Sequence, residues 1–434
     1  MSVPAGLAAA IAEAAPLTAR FREAGRSLFF VGGVVRDHWL DRSRPENDLD
    51  ATTDARPEEI KALVANLAEA VWTQGERFGT IGCTIDGQMY EITTHRAEAY
   101  DRESRKPTVS FGDRIEDDLA RRDFTVNAMA VDLLTGDMVD PHDGQGDLAA
   151  RILRTPLDPE ISFSEDPLRM LRAARFHSGY DLVPTPELVE AMTALVPRIE
   201  IVSSERVRDE IQKLILLDTP SDGLALLAQT GLLAAVLPSL GGYSPDDARV
   251  RGAAVAQVAA TPAARWAALL APEGIDLATL RRLKFSGSLT TGVIWLVSSY
   301  PWVVAPGAWS FDAPALRRTA ALTPTGQTLD ELYDWVSGLR AAAGADYADV
   351  DAHRLAHSTL LAAEPDLADP APLLTGEAVC AVLGIEPGRA VGVAMRWLRD
   401  LRLDEGPVDI VEAADRLLVW WPTRPLPQPV DRTD

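Results

Sequence analysis

Between residue 28 and about residue 140, short apolar runs alternate with turn signals. Leu28-Phe29-Phe30-Val31 runs into the glycine pair Gly32-Gly33 and predicts a strand; Val34 to Leu40 predicts a helix, and Asn47 to Thr53 a second strand. Residues 81–85, 89–94 and 129–134 are further strand candidates, with Asp86-Gly87 and Thr135-Gly136 as turns. After about residue 150 the texture changes to Ala, Leu and Arg segments with few β-branched runs, which predicts helices. Ser164 reads as the N-cap of a helix running through Phe176, which would put Asp166 and Arg169 on one face. Segments 182–192, 203–217 and 222–238 continue the helical pattern, and 241–360 is Ala-rich, helical and chemically quiet. Pro365, Pro370 and Pro372 mark a linker before a last helical unit ending near Trp421, and residues 423–434 read as a frayed tail. The pattern is that of an α+β protein: a mixed α/β head over 1–150, then helical parts over 151–240, 241–360 and 361–434.

With 434 residues, 47% of them hydrophobic and 24% charged, the chain can bury a sizeable core and is neither disordered nor fibrous. Acids outnumber bases 64 to 42, for a formal charge of -22. Such a field repels polyanions, so bulk coating of nucleic acid or anionic membrane is excluded and any nucleic-acid partner must be held by a local site. Only four of the basic residues are lysines. Arginine suits bidentate phosphate contacts, although a GC-rich coding sequence explains the same bias together with the abundance of Ala, Gly and Pro. Cys83 and Cys380 follow no metal or redox spacing and suit a reducing cytoplasm. The first residues lack a basic region and carry Glu13, which predicts a short amphipathic helix and no signal peptide. No apolar run approaches the roughly 18 residues of a membrane span.

The sharpest chemical signal is Gly32-Gly33, then Arg36-Asp37, then Asp48-Leu49-Asp50. Glycines between a strand and a helix let backbone N–H groups approach a phosphate, though such a pair alone is more often a tight turn. Side chains two apart on a strand share a face, so Asp48 and Asp50 would repel each other unless a hard cation lay between them. Such pairs serve two-metal phosphoryl transfer. Glu91, on the face opposite Tyr90 and Ile92, is the best-placed third carboxylate. Arg121, Arg122 and Asp123 precede an apolar stretch holding Phe124 and Asn127; an arginine there could clamp a phosphate and Asp123 could accept from a ribose hydroxyl. Arginines at 169, 172 and 175 form a basic stripe beside Asp166, which in isolation would more often be solvated surface.

In order and spacing, GGVVRD with DLD, RRDFTVNAMA, DPHDGQGDL and EDPLRMLRAARF resemble the successive motifs of the bacterial class II CCA-adding tRNA nucleotidyltransferases and the related poly(A) polymerases. The resemblance covers about residues 28–240 and returns over 373–406. It implies a polymerase β-like nucleotidyltransferase head followed by neck, body and tail, with Asp48 and Asp50 binding Mg²⁺ and Glu91 as the third catalytic carboxylate. Gly32, Gly33 and Arg36 would cradle the triphosphate, and Arg122 and Asp123 would position phosphates and sugar, with Asn127 also in the nucleotide site. Asp166 and Arg169 would select the base, with Arg172 and Arg175 on nearby phosphates. The implied partners are the tRNA 3′ end, CTP and ATP, with neither a membrane nor an obligate protein partner. The polar stretch between Glu91 and Arg121 resembles the family's flexible loop, which leans toward addition of the whole CCA triplet.

Base selection follows from chemistry as well. Cytosine and adenine both present an amine donor beside a ring-nitrogen acceptor, whereas uracil and guanine present a carbonyl beside an N–H. Asp166 would accept from the amine and Arg169 donate to the ring nitrogen, so U and G would be rejected at about 1–3 kcal/mol per mismatched contact. The alternatives are a poly(A) polymerase, a CC- or A-adding enzyme, and a non-catalytic RNA-binding relative.

Many members of the family that the chain resembles carry a metal-dependent HD-type phosphohydrolase domain after the helical neck, which needs a His, a His-Asp pair and a further Asp. Where residues 265–274 resemble that region, Ala271 and Pro272 stand instead, so 241–360 is expected to be a degenerate HD-like scaffold. His353 and His357 lack a third ligand and are expected to be structural. Glu377, Arg389, Arg396 and Arg399 are candidate tRNA contacts.

Overall fold

In the computed structural model, residues 3–42, 48–96, 111–305, 310–367 and 369–423 are described. The chain divides into two compact units, Met1–Ala256 with Asp276–Phe285, and Gln257–Ile275 with Ser286–Asp434. That division falls past residue 240 and returns one short helix, Leu277–Arg282, to the first unit.

The first unit opens with helices α1 (Ala5–Glu13) and α2 (Ala15–Glu23), the first in the segment expected to be a short N-terminal helix. A mixed sheet follows, built from β1 (Phe29–Val31), β2 (Leu49–Thr53), β3 (Ala70–Trp72), β4 (Thr80–Ile85), β5 (Gln88–Thr94), β6 (Ala130–Asp132) and β7 (Met138–Val139), in the order β3-β4-β5-β2-β1-β6-β7. Each of the five strands expected from apolar runs is present; β3 and β7, short and lacking a strong pattern, were not anticipated. Within this sheet only the β2–β5 pair is parallel; a separate two-stranded parallel sheet joins Ile152–Leu153 to Val183–Pro184. Helix α3 (Gly33–Trp39) follows β1, and α4 (Pro57–Val64) follows β2. The β4–β5 hairpin turns at Asp86 and Gly87, both at positive φ, as a two-residue turn matched to strand twist requires. Along β5, Tyr90, Ile92 and Thr94 are buried while Glu91 and Thr93 face the other way, the alternation expected for Glu91.

Helices α5 (Ile115–Ala120) and α6 (Gly144–Ala150) flank β6 and β7, and α7 (Pro159–Glu165), α8 (Leu168–Tyr180), α9 (Pro186–Ala194) and α10 (Ser204–Ile215) follow. Here the expectation of one helix capped by Ser164 is corrected. Ser164 lies inside α7, and Asp166 and Pro167 form a break before α8. A residue preceding proline is driven out of the α region; Asp166 has φ −134° and ψ 95°. Asp166 and Arg169 therefore do not share a helix face; one sits at the break and the other in the first turn of α8. Helix α8 buries Leu168, Met170, Leu171, Ala173, Ala174 and Phe176, and close packing at its end depends on Gly223, whose N–H donates to Ser178 Oγ at 2.6 Å. A Cβ at Gly223 would stand 2.5 Å from the Ala174 carbonyl oxygen.

Every described element of the second unit is helical. Trp266, Trp335 and Tyr333 are buried there, and Trp335 Nε1 donates to the Ala264 carbonyl at 3.0 Å. His353 and His357 are buried against the Tyr333 hydroxyl and bond the carbonyls of Ser310 (3.1 Å) and Leu316 (2.6 Å). The break expected at residue 360 is bridged by a buried cluster in which Glu364 accepts from Arg317 (2.9 Å) and Arg402 (2.6 Å). Beyond it, Leu374, Val379, Ala394, Leu398, Ala413 and Leu417 form a separate apolar cluster. No helix among the described residues is long and apolar enough to cross a membrane.

Candidate active site

Strand β1 ends at Val31 and α3 begins at Gly33, with Gly32 between them at φ +66°, a conformation that favours glycine. Gly32 is also where Arg122 comes close: an added Cβ would lie 3.0 Å from its Nη1. The Gly32 N–H points to the Met129 carbonyl at 3.4 Å.

Asp50 and Glu91 are direct partners in the parallel β2–β5 pair, so their carboxylates rise from the same face of adjacent strands. Asp48 is exposed and immediately precedes β2, so the Asp-X-Asp pair spans the strand's edge. Asp50 is reached by solvent yet lies deep between the cleft walls; that burial pushes its pKa up, Arg122 opposes the shift, and Glu91 and Asp48 push it up further. Clustered carboxylates facing an open cleft favour a hard cation, so the donor set fits one. Among the described residues no group of three or more His, Cys, Asp or Glu side chains is placed to hold a metal ion by itself.

Asp50 and Glu91 line a cleft of about 450 Å³ whose lining also includes six arginines (96, 121, 122, 169, 172 and 206), Asp123 and Asp166. The wall is locally cationic although the chain is strongly acidic overall. Buried Asp118 organises one side. It accepts from Arg121 Nε and Nη2 at 3.2 and 2.9 Å and from Arg122 Nη2 at 3.0 Å. Burial would raise its pKa, but Arg122 and Arg121 overcome this and hold it well below the usual carboxylate range. Two guanidiniums are thereby fixed side by side. Their spacing from Asp118, three and four residues on, is a helical signal the sequence carried and the expectations did not use.

Asp123 is buried. It accepts from the Phe124 N–H (2.9 Å), from Asn127 Nδ2 (2.8 Å) and twice from Arg172 (2.8 and 2.5 Å). Burial acts to raise its pKa, but Arg172 and Asn127 outweigh it and hold Asp123 at about 2. Asp166 accepts from the Leu168 N–H at 3.2 Å and from Arg206 at 2.8 Å. Arg169 donates to Ser162 Oγ at 2.9 Å and to the Arg121 carbonyl at 2.5 Å. Asp166, Arg169, Arg172, Arg122 and Asp123 thus meet on one cleft.

Six expected residues lie outside the cleft lining: Gly32, Gly33, Arg36, Asp48, Asn127 and Arg175. Arg36 is buried with its guanidinium stacked 4.1 Å from the Tyr180 ring centroid, donating to Tyr180 Oη, Asn127 Oδ1 and Asp37, so it does not line the cleft. Asn127 lies between Arg36 and Asp123 as a bridge. Arg175 pairs with buried Glu210 and stands off the cleft: each three-residue step drifts by about 60°, so the stripe that begins at Arg169 has turned toward α10 by position 175. The polar stretch expected to be a flexible loop falls largely on 97–110, outside the described residues. Arg206 was missed because nothing local ties it to Asp166, 40 residues away; Arg96, only five residues after Glu91, was missed because it belongs to no charge pattern of its own.

Comparison with known proteins bears on this arrangement. A family model described as "Poly A polymerase head domain" matches residues 28–154, and "Probable RNA and SrmB- binding site of polymerase A" matches 181–242. The CCA-adding enzyme of Bacillus velezensis is 33% identical over 295 residues, 67% of this chain and 72% of that one. That of Geobacillus stearothermophilus is 33% identical over 301 residues, 69% and 72% respectively. Among solved structures, the Bacillus stearothermophilus CCA-adding enzyme in complex with CTP superposes with a TM-score of 0.72 at 27% identity, covering 94% of this chain and 96% of the other.

Proposed function

The chain belongs to the CCA-adding enzyme family, and from that membership we infer that it is a tRNA nucleotidyltransferase adding C, C and A to the tRNA 3′ end from CTP and ATP. In each step the terminal 3′-hydroxyl oxygen forms a bond to the α-phosphorus, the bond to the β-phosphate oxygen breaks, and pyrophosphate leaves with the hydroxyl proton lost to solvent. The observation that carries the site assignment is the registered pair Asp50 and Glu91 in an arginine-lined cleft.

In this reading Asp48 and Asp50, with Glu91, hold Mg²⁺, which when bound lowers the pKa of the attacking hydroxyl and neutralises the leaving group. Arg121 and Arg122, tied down by Asp118, present donors to the triphosphate at little ordering cost. Asp123, ionised and braced by Arg172, accepts from the ribose. Arg36 and Asn127 position Asp123 from behind, and Gly32 gives Arg122 room. Asp166 and Arg169 select the base: the Asp166 carboxylate retains acceptor capacity beyond its two protein contacts. Residues 1–150 serve as catalytic head, 151–240 as neck, and 241–360 and 361–434 as body and tail, the body being a degenerate HD-like scaffold, since buried His353 and His357 are committed to internal hydrogen bonds. Two cysteines without a pairing pattern support a cytoplasmic setting.

The test is purified protein with tRNA lacking CCA and either CTP plus ATP or ATP alone. Three-nucleotide extension that stops is expected; long A tracts without CTP would replace this reading with a poly(A) polymerase.

A further inference from the structure

Trp72, Gly82, Glu91 and Asp50 stand in one row across β3, β4, β5 and β2, each the direct partner of the next. Direct partners share a face, so the indole and the two carboxylates rise on the same side of the sheet. Gly82 lets the indole lie across β4: a Cβ there would fall 2.0 Å from Trp72 Cε2 and Nε1. The ring therefore bridges part of the roughly 10 Å that two strand spacings put between Trp72 and Glu91.

A second cavity, of about 360 Å³, opens at this end of the row and is lined by Trp72, Phe78, Thr80, Gly82, Glu91 and Arg96 among others. It shares Glu91 and Arg96 with the main cleft. Phe78, 42% exposed, is part of that lining, with the Arg77 guanidinium 4.5 Å from its ring centroid. Thr80 is bonded through its hydroxyl to Thr93, which lines the main cleft, at 2.9 Å. The two spaces thus meet at Glu91.

Resting on the nucleotidyltransferase reading, we propose that this second cavity holds the 3′-terminal nucleotide of the RNA primer, with its base stacked on the Trp72 indole. In-line displacement puts the attacking hydroxyl on the side of the carboxylates away from the leaving pyrophosphate. The arginines fixed by Asp118 occupy the main cleft, so the hydroxyl must enter from the other side of Glu91. Every base has a π-face, so an aromatic floor accepts C and A alike, as it must when the terminal nucleotide changes at each addition.

The experiment compares wild type, Trp72→Ala and Trp72→Phe on a tRNA primer with an intact 3′-terminal nucleotide and on one whose terminal nucleotide lacks its base. Trp72→Ala should lower kcat/KM for the intact primer about tenfold, the scale of a lost base stack, with the CTP dissociation constant unchanged. Removing the base should cost wild type a similar factor and Trp72→Ala almost nothing; Trp72→Phe should recover most of the loss. Gly82→Ala, which displaces the indole without deleting it, should behave like Trp72→Ala and covers the case in which that variant does not fold. Equal sensitivity of wild type and variant to base removal, or a loss confined to CTP affinity, would overturn the assignment. Wild type that adds nothing to the intact primer would sink the nucleotidyltransferase reading itself, which separates the two failures.

Discussion

Arg206 Nη2 donates to Asp166 Oδ2 at 2.8 Å, linking α10 to the break between α7 and α8 at the cleft edge. Arg206 is about half exposed, so the pair itself stabilises the fold by less than about 1 kcal/mol. Its consequence is orientation of a carboxylate that must meet a base. Asp166→Ala should lower the CTP-to-UTP ratio of kcat/KM by about 10- to 100-fold, from a lost contact of about 1–3 kcal/mol. Arg206→Ala should raise KM for CTP and ATP with a smaller change in that ratio. Unchanged rejection of UTP by Asp166→Ala would remove it from base selection.

Asp50→Asn should abolish most activity, by more than about 100-fold in kcat, since even residues behind a metal ligand cost about 10- to 100-fold. The variant should fold as well as wild type, because the substitution removes a charge repelled by Glu91 and Asp48. Single-turnover addition of CTP and a thermal melt check both halves.

Asp123 and Arg172 bear on stability. Asp123 titrates near 2 in the folded protein, below the ordinary carboxylate value, so its contribution is fully present above about pH 4 and is lost as pH falls toward 2. Asp123→Asn leaves Arg172 without its carboxylate and should cost about 2–3 kcal/mol in urea unfolding at pH 7. It should also flatten the acid limb of the stability profile. An unchanged acid limb would show that the pair is not held in solution.

In the second unit, burial lowers His353 to about 4, with nearby His357 pushing the same way, and His357 is lowered by its own burial. A base depressed in the folded state binds fewer protons than in the unfolded chain, so stability is full above about pH 6.5 and falls between there and about pH 4. Thermal melts across that window should show the second unit destabilising first, and His353→Gln should shrink the slope. A slope unchanged in that variant would assign the pH dependence to other groups.

The strands at the site were legible because each is a short apolar run bounded by glycine or aspartate turns, and the face of Glu91 followed from alternation alone. Helix α8 was legible as a helix but not in its start, since Asp166-Pro167 overrides the capping signal at Ser164. Asp118 was within reach through its spacing to Arg121 and Arg122, whereas Arg206 and Trp72 were not: their importance lies in partners 40 and 19 residues away.

The order of motifs along the chain determined the chemistry: carboxylates for a cation, arginines for phosphates, and an acid–guanidinium pair for a base edge. Tertiary structure decided which of those charges face the cleft. Arg36 and Arg175 are as basic in sequence as Arg122 and Arg172, yet the first is stacked on Tyr180 and the second paired with Glu210, while the others stay on the cleft wall. The reason is desolvation: a buried guanidinium must find its partners inside the protein, and whether it does depends on packing between segments far apart in the chain.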